Sequence, residues 1–359
     1  MNDLFLRNLH IEIYGGSHDE KIGVRLSGLP AGERFDRDIL QRFLDRRAPS
    51  SRLPGTKRRE DDVPVFLSGV DGDTLSGELL EAVIYNRDAR PGDYPSVPDV
   101  PRPSHADYAA IMKYGSSVDL RGGGRFSGRL TAPLCVAGGI ALQLLERRGV
   151  YIGAHIETLG GIHDLRFDPL NLCREDFEAL RTRTFPVIDE AQGEKMLELI
   201  GEISAEGDSV GGVVECGAVG LPVGLGEHMF AGMENRIAHL AFGIPALKGI
   251  EFGAGFALSD MRGSEANDPF RTDGKRVYTT KNNSGGIQGG MTNGMPLIFR
   301  GVLKPTPSIA LPQESVSLIR MENTDITISG RHDPAIPVRA VPVFEAVAAL
   351  AILDAILDS

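Results

Sequence analysis

The same turn occurs twice in this chain, about 190 residues apart, each time between a glycine-punctuated β-branched run and a helical pattern. Gly28-Leu-Pro-Ala-Gly32 follows the run Ile22–Leu29, and Gly220-Leu-Pro-Val-Gly224 follows Val210–Gly220. A second pair recurs in the same order. Gly124-Arg125 leads through Arg129 to Pro133 and an alanine-rich helix, and Gly330-Arg331 leads through Arg339 to Pro342 and another. Turn residues can recur by chance. The reading favoured here is one domain over 1–359 with two similar βαβ-type halves, roughly 1–150 and 205–359, related by a pseudo-twofold axis.

Helical spacing and stop signals predict helices over Asp36–Ala48, Thr131–Arg148, Glu190–Ile203 and Val343–Leu357. Asp36 is the N-cap of the first, which stops before Pro49, and Gly149 ends the second. Residues 46–64 and 87–103 have no periodicity and are rich in Pro, Arg, Ser and Asp, so they are expected to be long functional loops.

The chain carries a formal charge of −11, which argues against a nucleic-acid or anionic-membrane partner. Within that acidic total, 30 of the 38 cations are arginine, the side chain suited to bidentate contacts with carboxylate and phosphate. Biased codon usage would give the same count, so placement decides. Three widely spaced cysteines, Cys135, Cys173 and Cys216, fit neither a disulfide scaffold nor a cysteine zinc site. The N-terminal residues lack the basic start and apolar stretch of a signal peptide, and the apolar runs 132–145 and 341–357 are short or interrupted. A cytoplasmic protein is expected.

Four segments concentrate Ser, His, Arg and Gly beyond any packing need: Gly15-Gly-Ser-His18, Arg102-Pro-Ser-His-Ala-Asp107, Arg121-Gly-Gly-Gly-Arg-Phe-Ser-Gly-Arg129 and Gly330-Arg-His-Asp-Pro334. The third fails the dinucleotide fingerprint at Ser127 and the Walker A pattern at Arg129-Leu130. It remains a generic anion cradle feeding a helix N-terminus, or a glycine-rich turn with solvated arginines. Of the eight arginines between 34 and 59, Arg46, Arg47 and Arg52 flank the helix end and its turn, while the interleaved acids mark others as surface charge. Lys304-Pro-Thr-Pro-Ser308 adds a rigid, hydroxyl-bearing loop. Together these suit a ligand with several anionic groups, handled by histidines that move protons.

These motifs, in this order, resemble those of the chorismate synthase family. Asp45-Arg-Arg-Ala-Pro49, Gly207-Asp-Ser-Val-Gly-Gly212 and Asn283-Ser-Gly-Gly-Ile-Gln-Gly-Gly290 extend the match over essentially the whole chain. The resemblance implies an α+β fold, a β-α-β sandwich of two similar halves, assembled as a homotetramer. It implies a carbon–oxygen lyase acting on a phosphate: 5-enolpyruvylshikimate 3-phosphate loses phosphate from C3 and a proton from C6, by anti 1,4-elimination, to give chorismate. Reduced FMN is the implied cofactor, with NAD(P)H as indirect reductant, through the protein itself or a separate flavin reductase.

Carried over by motif position, His18 protonates the departing phosphate, His105 acts at the N1/O2 edge of the reduced flavin, and Asp333 relays the proton through N5. Ser17, Arg47, Arg52, Arg102, Arg129 and Arg331 are the implied substrate contacts, Ser17 lying toward the flavin. Arg47, Arg52, Arg125, Phe126, Ser127, Ala246, Gly286, Lys304, Pro305, Thr306, Pro307, Ser308 and Arg331 are the implied flavin contacts. Gly16, Asp19, Ser104, Phe126, Pro245 and Pro307 depart from the family pattern, and none of them removes an implied proton donor or arginine. Two other readings compete: an anion-binding paralogue without catalysis, against which His18, His105 and Asp333 argue, and a flavin oxidoreductase, against which the failed dinucleotide fingerprint counts.

Overall fold

The computed structural model describes residues 3–49, 61–87, 98–328 and 333–358. Arg52 and Arg331, with most of both expected loops, lie outside the described residues.

The first sheet contains β1 (Asp3–Phe5), β2 (His10–Tyr14), β3 (Lys21–Ser27), β4 (Val65–Ser68) and β5 (Leu80–Tyr85) in the order β1-β2-β3-β5-β4. All its pairs are antiparallel, so β3 and β4 run parallel with β5 between them. Helix α1 (Arg37–Arg47) connects β3 to β4, which makes a split β-α-β unit. Asp36 caps α1 as expected, its carboxylate accepting the N–H groups of Asp38 and Ile39 at 2.8 and 2.9 Å. Helix α2 (Asp107–Tyr114) and a glycine-rich loop then lead into α3 (Thr131–Glu146).

The second sheet contains β6 (Tyr151–Leu159), β7 (Ile162–His163), β8 (Gly212–Val219), β9 (Leu247–Phe252) and β10 (Leu297–Leu303), ordered β9-β10-β8-β6-β7. Helices α4 (Arg174–Thr182) and α5 (Glu190–Glu206) are inserted after β7, and α6 (Met233–Ala241) connects β8 to β9. The order β6-β8-β10-β9 repeats β2-β3-β5-β4, and each Gly-Leu-Pro-X-Gly turn follows the second strand of its set. By this topology the second set opens at β6, before residue 205.

Both sheets close on one apolar core whose centre is α3 and the last helix, α7 (Pro337–Ile356). A Cβ on Gly138 of α3 would stand 2.2 Å from that of Ala346 on α7, and one on Gly139 would stand 2.6 Å from Leu40 of α1. The glycines therefore set how closely three helices approach. With its preceding 3₁₀ turn, the helical run 128–146 is long and apolar enough to cross a membrane, but 94% of it is buried in this core. It is the middle layer of a sandwich.

Helix α7 starts six residues before the expected Val343 and runs through Pro342. Pro342 cannot donate to the carbonyl of Val338, yet burial of Val338, Ala340 and Val341 offsets one lost bond. Helix α5 outlasts its expected end by three residues and stops at Gly207, which takes the left-handed conformation at φ 76°.

His155, on β6, is fully buried between two carboxylates, with Nδ1 3.1 Å from Asp164 and Nε2 2.9 Å from Glu215. Burial alone pushes its pKa down, but the two carboxylates more than offset that and raise it above the ordinary 6.5. A raised folded-state pKa adds stability that is complete below about pH 6.5 and lost as pH climbs through the folded value. The wild-type unfolding midpoint should therefore fall relative to His155→Gln as pH rises above 6.5. Parallel midpoint-against-pH curves would remove His155 from this role.

Candidate active site

Beside the middle layer lies a cavity of about 1210 Å³, walled by loops from both halves of the chain. That exceeds the roughly 300–1,000 Å³ of a site for one small ligand. Leu134, Leu247, Ile336, Ala340 and Val343 give the lining apolar surface, and cationic and hydroxyl-bearing side chains line it as well.

His18 and the buried Ser17 lie in the turn after β2. The glycine-rich loop packs on them, and the Ser17 N–H donates to the Gly124 carbonyl at 3.1 Å. Gly122, Gly123 and Gly124 have φ of 56°, 91° and 51°, a run that only glycine adopts without strain. Space requires them as well. A Cβ on Gly122 would lie 2.0 Å from Cε1 of His18, and one on Gly124 would lie 1.9 Å from the Asp119 carbonyl.

Arg47, at the end of α1, and Arg129 are both buried and share the buried Asp62, one on each carboxylate oxygen. Burial alone would raise the Asp62 pKa, but the two guanidinium groups hold it below the carboxylate range. Arg47 also donates to Thr131 Oγ1 at 3.2 Å, and Arg129 to Asn86 Oδ1 at 3.0 Å. Arg339, in the first turn of α7, donates to the Arg47 carbonyl at 3.0 Å and to Asp333 Oδ2 at 3.3 Å. Burial and the neighbouring Arg47 push its pKa down to about 10, with Asp333 opposing. Such a cation gains most from an added anion.

Arg102 forks onto Asp107 with Nε and Nη2 each 2.7 Å from an oxygen, and His105 Nδ1 is 2.6 Å from the same carboxylate. Across the cavity, Lys304 donates to the carbonyl of Ser104, and burial together with Lys248 lowers its pKa. Thr306 Oγ1 donates to the Asp333 carbonyl at 2.8 Å. Seven cations line the cavity: Arg47, Arg102, Arg125, Arg129, Arg339, Lys248 and Lys304. Asp3 and Asp333 line it too, and Asp62 and Asp107 stand behind, so the described residues leave an excess of three positive charges. In a chain of net charge −11 this is a concentrated anion site.

Ser104 has φ 57°, a left-handed conformation that costs a side-chain-bearing residue about 1–2 kcal/mol. Part of any gain from glycine is returned through its freer unfolded state. Ser104→Gly should still raise stability, by about 0.5–1 kcal/mol in urea denaturation. A lowered midpoint would show that the hydroxyl has a compensating role.

Of the expected site residues, Ser17, His18, Arg47, Arg102, His105, Arg125, Phe126, Ser127, Arg129, Ala246, Lys304, Thr306, Pro307, Ser308 and Asp333 all reach this cavity. Gly286 and Pro305 do not line it. Gly286 lies in a turn at φ 80°, its N–H donating to Asn282 Oδ1 at 2.7 Å, where a Cβ would strike the Pro296 carbonyl at 2.5 Å. Pro305 is exposed and backs onto Gly211. Asp62 and Asn86 carry no signal that singles them out in the sequence, whereas Arg339 holds in the second half of the repeat the place that Arg129 holds in the first. Asp107 does carry one, since it closes the Arg102-Pro-Ser-His-Ala-Asp107 segment.

A family model described as chorismate synthase matches residues 9–357. A chorismate synthase of Lancefieldella parvula is 42% identical, over 99% of this chain and 96% of its own. One of Methanosarcina acetivorans is 43% identical over 99% and 96%. A solved structure titled "Crystal Structure of Chorismate Synthase" superposes with a TM-score of 0.78 at 26% identity, covering 99% of this chain and 93% of that one. Full-length matches in sequence and in fold agree with the ordered motifs around the cavity, and the chain belongs to the chorismate synthase family.

Proposed function

We propose that the cavity performs the elimination that gives the family its name: loss of phosphate from C3 and a proton from C6 of 5-enolpyruvylshikimate 3-phosphate, with reduced FMN bound beside the substrate. The observation that carries this reading is the excess of positive charge in a cavity whose walls also hold His18, His105 and Asp333. A substrate with a phosphate and two carboxylates adds negative charge to a group in which Arg47 and Arg129 share Asp62 and Arg339 pairs with Asp333. Nothing observed favours the paralogue that only binds anions.

The cavity fits a flavin as well as a substrate. Its volume exceeds one ligand's needs, its apolar lining suits a ring system, and Lys304 and Ser308 present donors suited to the flavin's polar groups. When bound, the reduced flavin supplies an electron-rich ring beside the breaking C–O bond. The chain's own residues do the rest. Arg47 and Arg129 orient the phosphate, and His18, packed against Gly122 of the glycine loop, donates a proton to it as it leaves. His105 faces the flavin's polar edge, and Asp333 takes part in moving the C6 proton. We read the enzyme as a cytoplasmic homotetramer of single-domain chains whose flavin is reduced at the expense of NAD(P)H, directly or through a separate reductase.

Incubation with reduced FMN and 5-enolpyruvylshikimate 3-phosphate without oxygen should yield chorismate and phosphate, and oxidised FMN alone should yield neither. Equal turnover with oxidised flavin would overturn the reading. Asp333 gives a sharper test, because its Oδ1 also accepts the Ala335 N–H at 3.2 Å, as a turn cap does. Asparagine preserves the cap but takes up no proton at neutral pH. Asp333→Asn should lose at least about 10²-fold in turnover. Near wild-type turnover with the flavin site filled would leave Asp333 as a cap.

A further inference from the structure

Arg102 was expected to grip substrate, yet its guanidinium is already committed. Its Nε and Nη2 make the bidentate pair with Asp107, its own backbone N–H donates to the same carboxylate at 3.1 Å, and Nη1 lies 3.4 Å from Ser308 Oγ. Asp107 is fully buried at the start of α2, so this carboxylate has no solvent to share its charge. His105 completes the ring, with Nδ1 2.6 Å from Asp107 Oδ1 and 3.1 Å from Arg102 Nη2.

One donor and one acceptor meeting at Nδ1 settle where its proton is. A guanidinium nitrogen only donates, and an ionised carboxylate only accepts. If Nδ1 carried a lone pair, it would accept from Arg102, but it would face a carboxylate oxygen, also with lone pairs, at 2.6 Å inside the protein. That contact is strongly repulsive. If Nδ1 carries the proton, the shorter contact becomes a charge-assisted hydrogen bond and the longer one is two donors converging on one carboxylate. The carboxylate is held ionised, because hydrogen bonds from Arg102 and His105 outweigh the burial that would raise its pKa.

We infer that Arg102 and Asp107 are positioning residues that lock neutral His105 as the Nδ1–H tautomer, leaving the Nε2 lone pair as the atom it offers to the cavity. Nε2 is the ring nitrogen nearer the glycine-rich loop: an ideal Cβ on Gly123 would lie 3.5 Å from it. The other charged groups around the ring are those of the same cavity: His18, Arg125 and Arg129 from the glycine-loop side, and Lys304 and Asp333 from the other half. The fork also ties α2 to the 304–308 loop through Ser308, so the imidazole is aimed by both halves of the chain. The assignment of the tautomer rests on this geometry alone, and its importance for turnover rests on the function proposed above.

The test uses wild-type protein labelled with ¹⁵N-histidine, with the His105 signals identified by their loss in His105→Gln. In the neutral state Nδ1 should give a protonated-nitrogen shift and Nε2 a bare-nitrogen shift. The opposite assignment overturns the proposal without any activity measurement. In Asp107→Asn the amide can donate to Nδ1, so the neutral tautomer should switch to Nε2–H and kcat should fall about 10²-fold or more, with flavin still bound. An unswitched tautomer counts against the proposal. Arg102→Gln separates positioning from gripping: kcat should fall at least about tenfold, with the Kd for substrate, by calorimetry, within about threefold of wild type. A Kd raised tenfold at unchanged kcat would make Arg102 a substrate ligand after all. If the wild type turns over nothing while the nitrogen shifts are as expected, the functional reading fails and the tautomer assignment stands.

Discussion

His18→Ala should lower turnover by about 10²–10⁴-fold while the flavin and substrate still bind, because a positioned proton donor contributes on that scale and little to affinity. Gly122→Ala should reproduce much of this loss without touching the imidazole. The added methyl would occupy the space of His18 Cε1, 2.0 Å away, at a backbone φ of 56°. The ring must then leave its place against the glycine loop. Single-turnover rates under anaerobic conditions, paired with flavin titrations, check both variants. If His18→Ala changed KM alone, His18 would be a binding group and the phosphate would leave without its proton.

Asp62→Ala should destabilise the protein by about 3–5 kcal/mol, because it leaves Arg47 and Arg129 buried beside each other without their shared carboxylate. Surface arginine pairs cost far less, but Asp62, Arg47 and Arg129 are all almost wholly buried. The same reasoning predicts a rescue. An anion entering the cavity replaces the missing charge, so millimolar phosphate should raise the urea midpoint of Asp62→Ala by more than that of wild type. Equal shifts in the two proteins would mean that these arginines do not face the anion-binding part of the cavity.

Some of this was legible in the chain itself. Helix α1 is fixed locally by its cap, its apolar spacing and Pro49, and the observed Arg37–Arg47 falls inside the expected span. The three consecutive glycines announce a backbone that no other residue tolerates, and their φ values bear that out. His18, His105 and the hydroxyl loop at 304–308 could be picked out because Ser, His and Gly in short clusters serve no packing purpose. Family membership was legible too, since ordered motifs are a property of sequence.

Other features depend on contacts between residues far apart in the chain. Pro342 reads locally as a helix boundary, and only burial of the preceding turn against the core carries α7 through it. Asp62 reads as one more acid in a charged stretch until folding places it between arginines 15 and 67 residues away. Gly286 belongs to a glycine motif, and only the fold shows that the Pro296 carbonyl lies where its Cβ would be. Sequence specifies local conformation and chemical type because these depend on neighbours within a few residues. Charge pairing, burial and the tautomer of His105 depend on which groups the fold brings within about 3 Å and shields from water, so the tertiary structure alone decides them.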